Sequence, residues 1–332
     1  MKKTFLFLTA MLIVVTSNAQ TKTQYMQVWA NNRVLFEKGI ETIDSITFIE
    51  KAVDSETGTI MASFSVNYDK MVYFSVGNLQ YQASTDTWRF AEHQTDAMCG
   101  ANANVSSYYD GWVDLFAWGT SGYDNTGEDP LAINFQPWAS GTLTFIDNGD
   151  NLNTFGCGPS VTQANINLEG NSAYYDWGVY NPINNGGNIS GMWRTLSYDE
   201  WFFLLYTRFN AQNLCSSATV EGTHGVILLP DDYIIPEGIS WQGSADDWGI
   251  NSYNSSEWGR LEALGAVFLP AAGVRDTPTY GCGQFGYYWT ITAGDFSPHY
   301  YAATFSFNSS GVEMRTYPRG GALSVRLVRD VQ

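Results

Sequence analysis

The stretch Met192-Trp-Arg-Thr-Leu-Ser-Tyr-Asp-Glu-Trp201 decides the fold class. Ser197 stands three residues ahead of Glu200, directly before the apolar run Trp201-Phe-Phe-Leu-Leu205. A serine hydroxyl at that offset accepts from the third helical N–H while the glutamate reaches back to the serine N–H, a capping box that starts a helix. Asn254-Ser-Ser-Glu257 repeats the device ahead of Trp258, Leu261 and Leu264, and Gly265 supplies a left-handed residue to end that helix. Around these two helices the chain reads as short strands bounded by turn residues. They fall at 64–66, 71–74, 79–81 and 88–90 before the first helix, and at 225–229, 266–269, 287–290, 302–307 and 324–328 after it. Few helices among many short strands make the expected class α+β.

Towards the N-terminus, residues 1–19 read as a cleavable secretory signal. Lys2 and Lys3 form a positive start, Phe5 to Val15 an apolar centre, and Ser17 and Ala19 the small residues that a signal peptidase reads. Cleavage is expected between Ala19 and Gln20. The apolar run is shorter than the roughly 20 residues that span a bilayer, no other stretch approaches that length, and no cysteine follows it closely. The expectation is an exported protein, secreted or held at the outer surface or in the periplasm, without a lipidated cysteine or an integral membrane segment. Residues 20–50 read as a short β segment. In it Met26-Gln-Val-Trp29 and Val34-Leu-Phe36 flank an Asn31-Asn32 turn, and Ile43-Asp-Ser-Ile-Thr-Phe48 alternates once more. So small a sheet needs something to pack on or dock to. The polar stretch 51–63 reads as a linker, and 64–332 as the main domain.

The chain carries 16 Lys and Arg against 33 Asp and Glu. Without Lys2 and Lys3 the balance is 14 against 33, a net charge near −19. That excludes nucleic acid and anionic membrane surfaces as partners, because both demand a cationic face. Charged residues are only 15% of the chain, whereas 12 Trp, 20 Tyr and 19 Phe are present. Between Cys99 and Ile189 no helical period appears, and Trp112, Trp118, Trp138 and Trp177 are spaced through Gly, Asn, Asp and Ser. A long span of this kind is disordered or functional, and its tryptophans favour folded, aromatic-pinned loops. Cys99, Cys157, Cys215 and Cys282 are candidates for two disulfides in an exported chain, with three pairings open. No Cys-x-x-Cys spacing occurs, and His93, His224 and His299 are the chain's histidines, so zinc has little support.

The order of these segments resembles the Fibrobacter succinogenes major paralogous domain family. The family is related to the C-type-lectin-like and formylglycine-generating, sulfatase-modifying folds. Residues 192–201 resemble the Trp-Arg-Leu-Pro-Thr-x-x-Glu-Trp signature that opens a helix in that family. Four segments follow in the family's order: Gly225-Val-Ile-Leu-Leu-Pro230, Phe268-Leu-Pro-Ala-Ala-Gly273, Tyr288-Trp-Thr290 and Ser324-Val-Arg-Leu-Val-Arg329. Val72-Tyr-Phe-Ser-Val-Gly-Asn-Leu79 looks like its N-terminal strand, so the resemblance covers roughly 64–330. It implies a domain with few helices, many short strands and long aromatic-pinned loops. Trp193 and Trp201 are expected to anchor the first helix, and Arg194, Arg326 and Arg329 to bridge carboxylates or backbone carbonyls.

The sulfatase-modifying relatives work with a cysteine pair in the C-terminal part. Here Cys282 is the last cysteine, so the chain departs from them at the chemistry. Asp231-Asp232 and Asp246-Asp247 are adjacent acids, but neighbours on a strand face opposite ways, and no Gly-x-Ser-x-Gly elbow is present. Asp147-Asn-Gly-Asp-Asn151 and Asp124-Asn-Thr-Gly-Glu-Asp129 offer clustered oxygens for calcium, although turn chemistry accounts for them equally well. No other cofactor is expected. The C-terminal segment suits binding: Trp289, Asp295, His299, Tyr300, Tyr301, Asn308, Tyr317 and Arg319 combine aromatic area with hydrogen-bonding groups. In lectin-like relatives the corresponding stretch forms the ligand face. The expected function is therefore non-catalytic recognition of a glycan or protein ligand. A structural or adhesive surface component, and then a hydrolase or oxidase, are the alternatives.

Overall fold

The computed structural model describes residues 25–30, 33–40, 53–104, 106–123, 136–138, 167–276, 279–294 and 301–331. The chain divides into two units, Met1–Phe48 and Ile49–Gln332. In the first, β1 (Tyr25–Ala30) and β2 (Arg33–Gly39) pair antiparallel, with Val28 opposite Phe36. The Asn31-Asn32 turn, the alternation at 43–48 and the signal segment lie outside the described residues.

The second unit takes in the expected linker at 51–63. Its first strands, β3 (Val53–Asp54) and β4 (Thr59–Ile60), form a hairpin in which Thr59 and Ile60 are buried and Thr59 bridges to Ser75. Gly58 turns this hairpin at φ +62°, and a Cβ there would stand 2.4 Å from the Asn185 carbonyl oxygen. Residues 53–63 are thus part of the domain, because the short apolar step at Ile60 belongs to its core.

Next come β5 (Phe64–Asn67), β6 (Lys70–Phe74), β7 (Leu79–Gln82), β8 (Thr87–Phe90) and β9 (Leu115–Phe116). Helices α1 (Trp177–Tyr180) and α2 (Tyr198–Phe202) precede β10 (Cys215–Val220), β11 (Thr223–Leu228) and β12 (Ser252–Tyr253). Helix α3 (Ser255–Ala263) leads to β13 (Val267–Pro270), β14 (Gly286–Ala293), β15 (Tyr301–Asn308), β16 (Gly311–Pro318), β17 (Leu323–Ser324) and β18 (Val328–Asp330). The larger sheets have the orders β16-β15-β14-β17-β9, β12-β10-β11-β13 and β18-β6-β5. Short strands in small sheets with few helices make the fold α+β. Among the described residues, no helix is long and apolar enough to cross a membrane.

Both capping boxes form. Ser197 Oγ accepts from Glu200 N–H at 3.1 Å and Glu200 Oε2 from Ser197 N–H at 2.9 Å; Asn254 and Glu257 do the same for α3. Helix α3 closes as a Schellman turn, with Ala266 N–H donating to Leu261 O and Gly265 N–H to Glu262 O. Helix α2 differs from a plain helix in running on as a π turn over Phe203–Thr207. Trp201 and Trp193 anchor two separate cores. Trp201 stacks on Phe305 at 4.8 Å with Phe64, Phe74 and Tyr288 around it, whereas Trp193 meets Phe90 at 4.8 Å beside Trp88, Trp118, Trp177 and Trp289.

The single strand expected at 324–328 is two. Chain segment β17 pairs with β14 and β9, and β18 with β6, because the chain changes sheets at residues 325–327. Arg326 turns inward there and is fully buried, donating to Gln94 Oε1 at 2.7 Å, Phe268 O at 3.4 Å and Asn78 Oδ1 at 3.5 Å. Arg194 forks onto Glu200 at 2.7 and 2.8 Å and reaches Asp330 at 2.6 Å, so the helix start is tied to the last strand. Arg329 donates to Thr59 Oγ1 at 3.4 Å. Within the described parts of 99–189, Trp118 and Trp177 are buried, and Trp112 lies under the Arg89 guanidinium at 3.9 Å.

Candidate functional site

Strands β14, β15 and β16 form the meander that carries the expected ligand face. Register fixes its two sides, since side chains alternate along each strand. Tyr287, Ser306 and Glu313 lie across from one another, as do Trp289, Thr304 and Arg315, and Ala302 is opposite Tyr317. Tyr287, Glu313, Arg315 and Tyr317 therefore share one side. Tyr288, Phe305 and Phe307 point to the other, into the first core.

The expected site residues separate. Asp295, His299 and Tyr300 lie outside the described residues. Trp289 is 1% exposed and its indole Nε1 donates to Phe116 O at 2.6 Å. Arg319 is also 1% exposed, with its guanidinium 3.9 Å above the Trp118 ring and Nε donating to Tyr301 O at 3.2 Å. Neither presents itself to a ligand, because both complete the second core beneath the sheet. Tyr301 pairs with Pro318, one step out of phase with Tyr317, and so faces the opposite side. Asn308 closes the far end of β15, where Oδ1 accepts from Ser310 N–H at 2.7 Å. Seven residues of extended chain separate it from Tyr301, about 23 Å at the strand rise, so it does not converge with Tyr317.

What gathers at Tyr317 is a different set. Its hydroxyl lies 2.9 Å from that of Tyr280, and its ring lies 5.2 Å from Tyr287 and 6.5 Å from Trp289. Phe285 extends the group, 6.5 Å from Tyr287. Tyr280 is 46% exposed; Phe285, Tyr287 and Tyr317 are half-buried. Gly321 lets the Tyr317 ring lie flat on the chain, since a Cβ there would meet Cε1 at 2.3 Å. Burial raises the Tyr317 hydroxyl above the ordinary phenol range, and the bond to Tyr280 adds to it; burial raises Tyr287 as well. The Tyr287 and Tyr317 phenols therefore hold their protons more tightly and can both donate and accept. Glu313 and Arg315 pair with each other on the same side.

The segment carrying Tyr280 and Phe285 is held at several points. Tyr280 and Val274 exchange backbone hydrogen bonds at 2.9 and 3.0 Å, Gly283 N–H donates to Ala271 O at 2.7 Å, and His224 Nδ1 lies 2.9 Å from Gly283 O. Cys282 is disulfide-bonded to Cys99. The expectation of two disulfides is corrected at Cys215, which is a free thiol buried in the first core and pushed up to about 12 by that burial. Cys157 lies outside the described residues. The Cys99 turn is fixed in turn by buried Asp114, which accepts from Met98 N–H at 3.0 Å and from Asn102 Nδ2 at 2.7 Å.

The acidic residues considered for catalysis perform local work. Asp231 accepts from Arg208 at 2.8 Å and from Ser65 N–H at 3.0 Å, and Asp247 closes a turn onto Gly249 N–H at 2.7 Å. The two oxygen-rich stretches considered for calcium, at 124–129 and 147–151, lie outside the described residues. Among the described residues, no group of three His, Cys, Asp or Glu stands close enough to hold a metal ion. A groove of about 330 Å³ elsewhere is lined by Met61, Pro230, Asp232, Tyr233, Ile234 and Leu264, and brings no second titratable carboxylate to Asp232. Comparison with protein-family models, with curated proteins and with solved structures finds no match for this chain.

Sequence reasoning missed Tyr280, Phe285 and Tyr287. Tyr287 carried a usable signal, since it stands two residues before Trp289 and so on the same side of a strand. Tyr280 carried none, because it reaches Tyr317 only through the fold.

Proposed function

We propose that the chain is an exported, non-catalytic recognition protein whose domain is of the C-type-lectin-like, sulfatase-modifying-like type. Its ligand is a glycan, held on the face formed by Tyr280, Phe285, Tyr287 and Tyr317. One observation carries this reading: four aromatic rings from two chain segments, 280–287 and Tyr317, meet at a partly exposed point with a rigid backing of Trp289, Trp118 and Arg319. Rings backed in this way supply apolar area to a pyranose at little entropic cost, and their hydroxyls supply hydrogen bonds. The signal pattern at 1–19 and the Cys99–Cys282 disulfide both suit an oxidising, extracytoplasmic compartment. A structural or adhesive role is the second reading, favoured by the β1–β2 hairpin, whose outer edges are unpaired among the described residues. A glycan and host-protein array probed with the wild type and with Tyr280→Ala/Tyr287→Ala tests the proposal. Glycan signals that vanish in the variant support it. Signals that persist unchanged remove the site, and an array without any glycan signal favours the structural role.

A further inference from the structure

The outer edge of β16 is unpaired among the described residues, although the strand is eight residues long. An edge of that length exposes a row of backbone donors and acceptors that other chains can use. Its orientation follows from one contact. Tyr206 Oη donates to Val312 O at 3.3 Å from the side away from β15, so the peptide groups of Val312 face outward. By the alternation of an antiparallel ladder, those of Met314 and Thr316 do so too. Gly311, Glu313, Arg315 and Tyr317 then point their peptide groups at β15, as the two-residue turn closed by the Asn308–Gly311 pair requires.

We propose that β16 pairs with β16 of a second copy of this chain, antiparallel about a twofold axis through Met314. Three features select this occupant and this register. Opposed residues must have their peptide groups in the same phase, so the twofold axis passes through a residue and not between two. The charges then match: Glu313 stands opposite the partner's Arg315, and Arg315 opposite the partner's Glu313. Centring on Glu313 or Arg315 would set like charges against each other, which destabilises a sheet. Centring on Val312 would set Glu313 opposite glycine and carry Arg315 past the partner strand's end, and centring on Thr316 would set Arg315 opposite tyrosine and carry Glu313 past its other end. The Met314 register also pairs residues 311–317 of both strands, with Val312 across from the partner's Thr316. Glu313 and Arg315 side chains are 44% and 55% exposed and bonded to each other, so both are available to a cross-strand partner. Val312 O exchanges the half-exposed Tyr206 hydroxyl for the N–H of the partner's Thr316. The inference uses backbone geometry and charge alone and does not depend on the glycan reading.

Sedimentation velocity on the purified protein tests the pairing with Glu313→Arg, Arg315→Glu and their equimolar mixture. The wild type is expected to form a dimer. Each single variant sets two like-charge pairs across the seam and raises the dissociation constant by about tenfold or more. The mixture restores both opposite-charge pairs and so restores a heterodimer, which also shows that both variants fold. A wild type that stays monomeric at the highest attainable concentration overturns the proposal. So does a dimer indifferent to either variant, and a mixture that stays monomeric overturns the register.

Discussion

Replacing Glu200 by alanine withdraws three interactions at once: the Arg194 fork at 2.7 and 2.8 Å, the Lys70 ammonium at 3.0 Å, and the acceptor for Ser197 N–H at 2.9 Å. The Arg194 and Glu200 side chains are 21% and 13% exposed, so the pair is mostly shielded from water. Removing one partner of a buried pair costs about 3 to 5 kcal/mol. Asp330 still serves Arg194 here at a half-exposed position, which brings the loss to about 2 kcal/mol. The lost cap adds about 1 kcal/mol. A total near 3 kcal/mol lowers Tm by about 6 to 12 °C in a domain of this size. Glu200→Gln keeps a capping side chain and should lose about 2 kcal/mol. Urea unfolding of Glu200→Gln, Arg194→Met and the double variant should give a coupling of about 2 kcal/mol. The pH dependence has a definite sign. Burial opposes ionisation of Glu200, but the hydrogen bonds and charge of Arg194 outweigh it and hold the carboxyl below its usual value of 4.5. Its contribution is therefore complete above pH 4.5 and is lost as pH falls through the lower folded value. A Glu200→Ala loss under about 1 kcal/mol, or a coupling near zero, would refute the reasoning.

Asp114 and Asp176 carry the opposite sign: burial raises both carboxyls from 3.8 to about 6, despite the hydrogen bonds they accept. The folded state therefore binds their protons more tightly than the unfolded chain, and stability should rise as pH falls from 7 towards 5. Tm measured at constant ionic strength checks this, and Asp114→Asn/Asp176→Asn should flatten the slope; a fall in Tm over that interval would contradict it. The Cys99–Cys282 disulfide spans 183 positions of sequence, so its loss in Cys99→Ser/Cys282→Ser should cost up to about 5 kcal/mol in chemical denaturation. Gly321→Ala puts a methyl group 2.3 Å from Tyr317 Cε1, so it should displace that ring and weaken glycan binding by about tenfold while the far-ultraviolet dichroism stays unchanged.

The helix starts were legible in the sequence because a capping box is written within four residues and needs no distant partner. Eight expected strand runs, among them 64–66, 287–290 and 302–307, lie inside observed strands for the same local reason. Strand β10 escaped because its Ser216 and Ser217 look like turn residues, whereas Ser216 Oγ is buried and bonded to Gln242 O at 2.7 Å and to Asn251 Nδ2 at 2.8 Å. Strand β16 escaped because the charges of an exposed edge mask its alternation. At the site, residue type suggested binding but could not report depth. Arg319 resembles a surface cation until Trp118 covers it, and Trp289 resembles a platform until its indole is spent on Phe116 O. Tyr280 and Tyr317 are 37 positions apart and meet only because the Val274–Tyr280 bridge, Gly273 and the disulfide place one beside the other.

Calorimetric titration with the strongest glycan from the array tests the central claim most directly. Wild type, Tyr280→Ala/Tyr287→Ala and Phe209→Ala should be compared, since Phe209 is 95% exposed and stands in α2's trailing segment, outside the proposed face. The account predicts a rise in Kd of about tenfold to a hundredfold for the double variant, from 1 to 3 kcal/mol of lost ring contact, with Phe209→Ala close to wild type. Equal weakening by both variants, or by neither, would contradict recognition at the Tyr280–Tyr287–Tyr317 face.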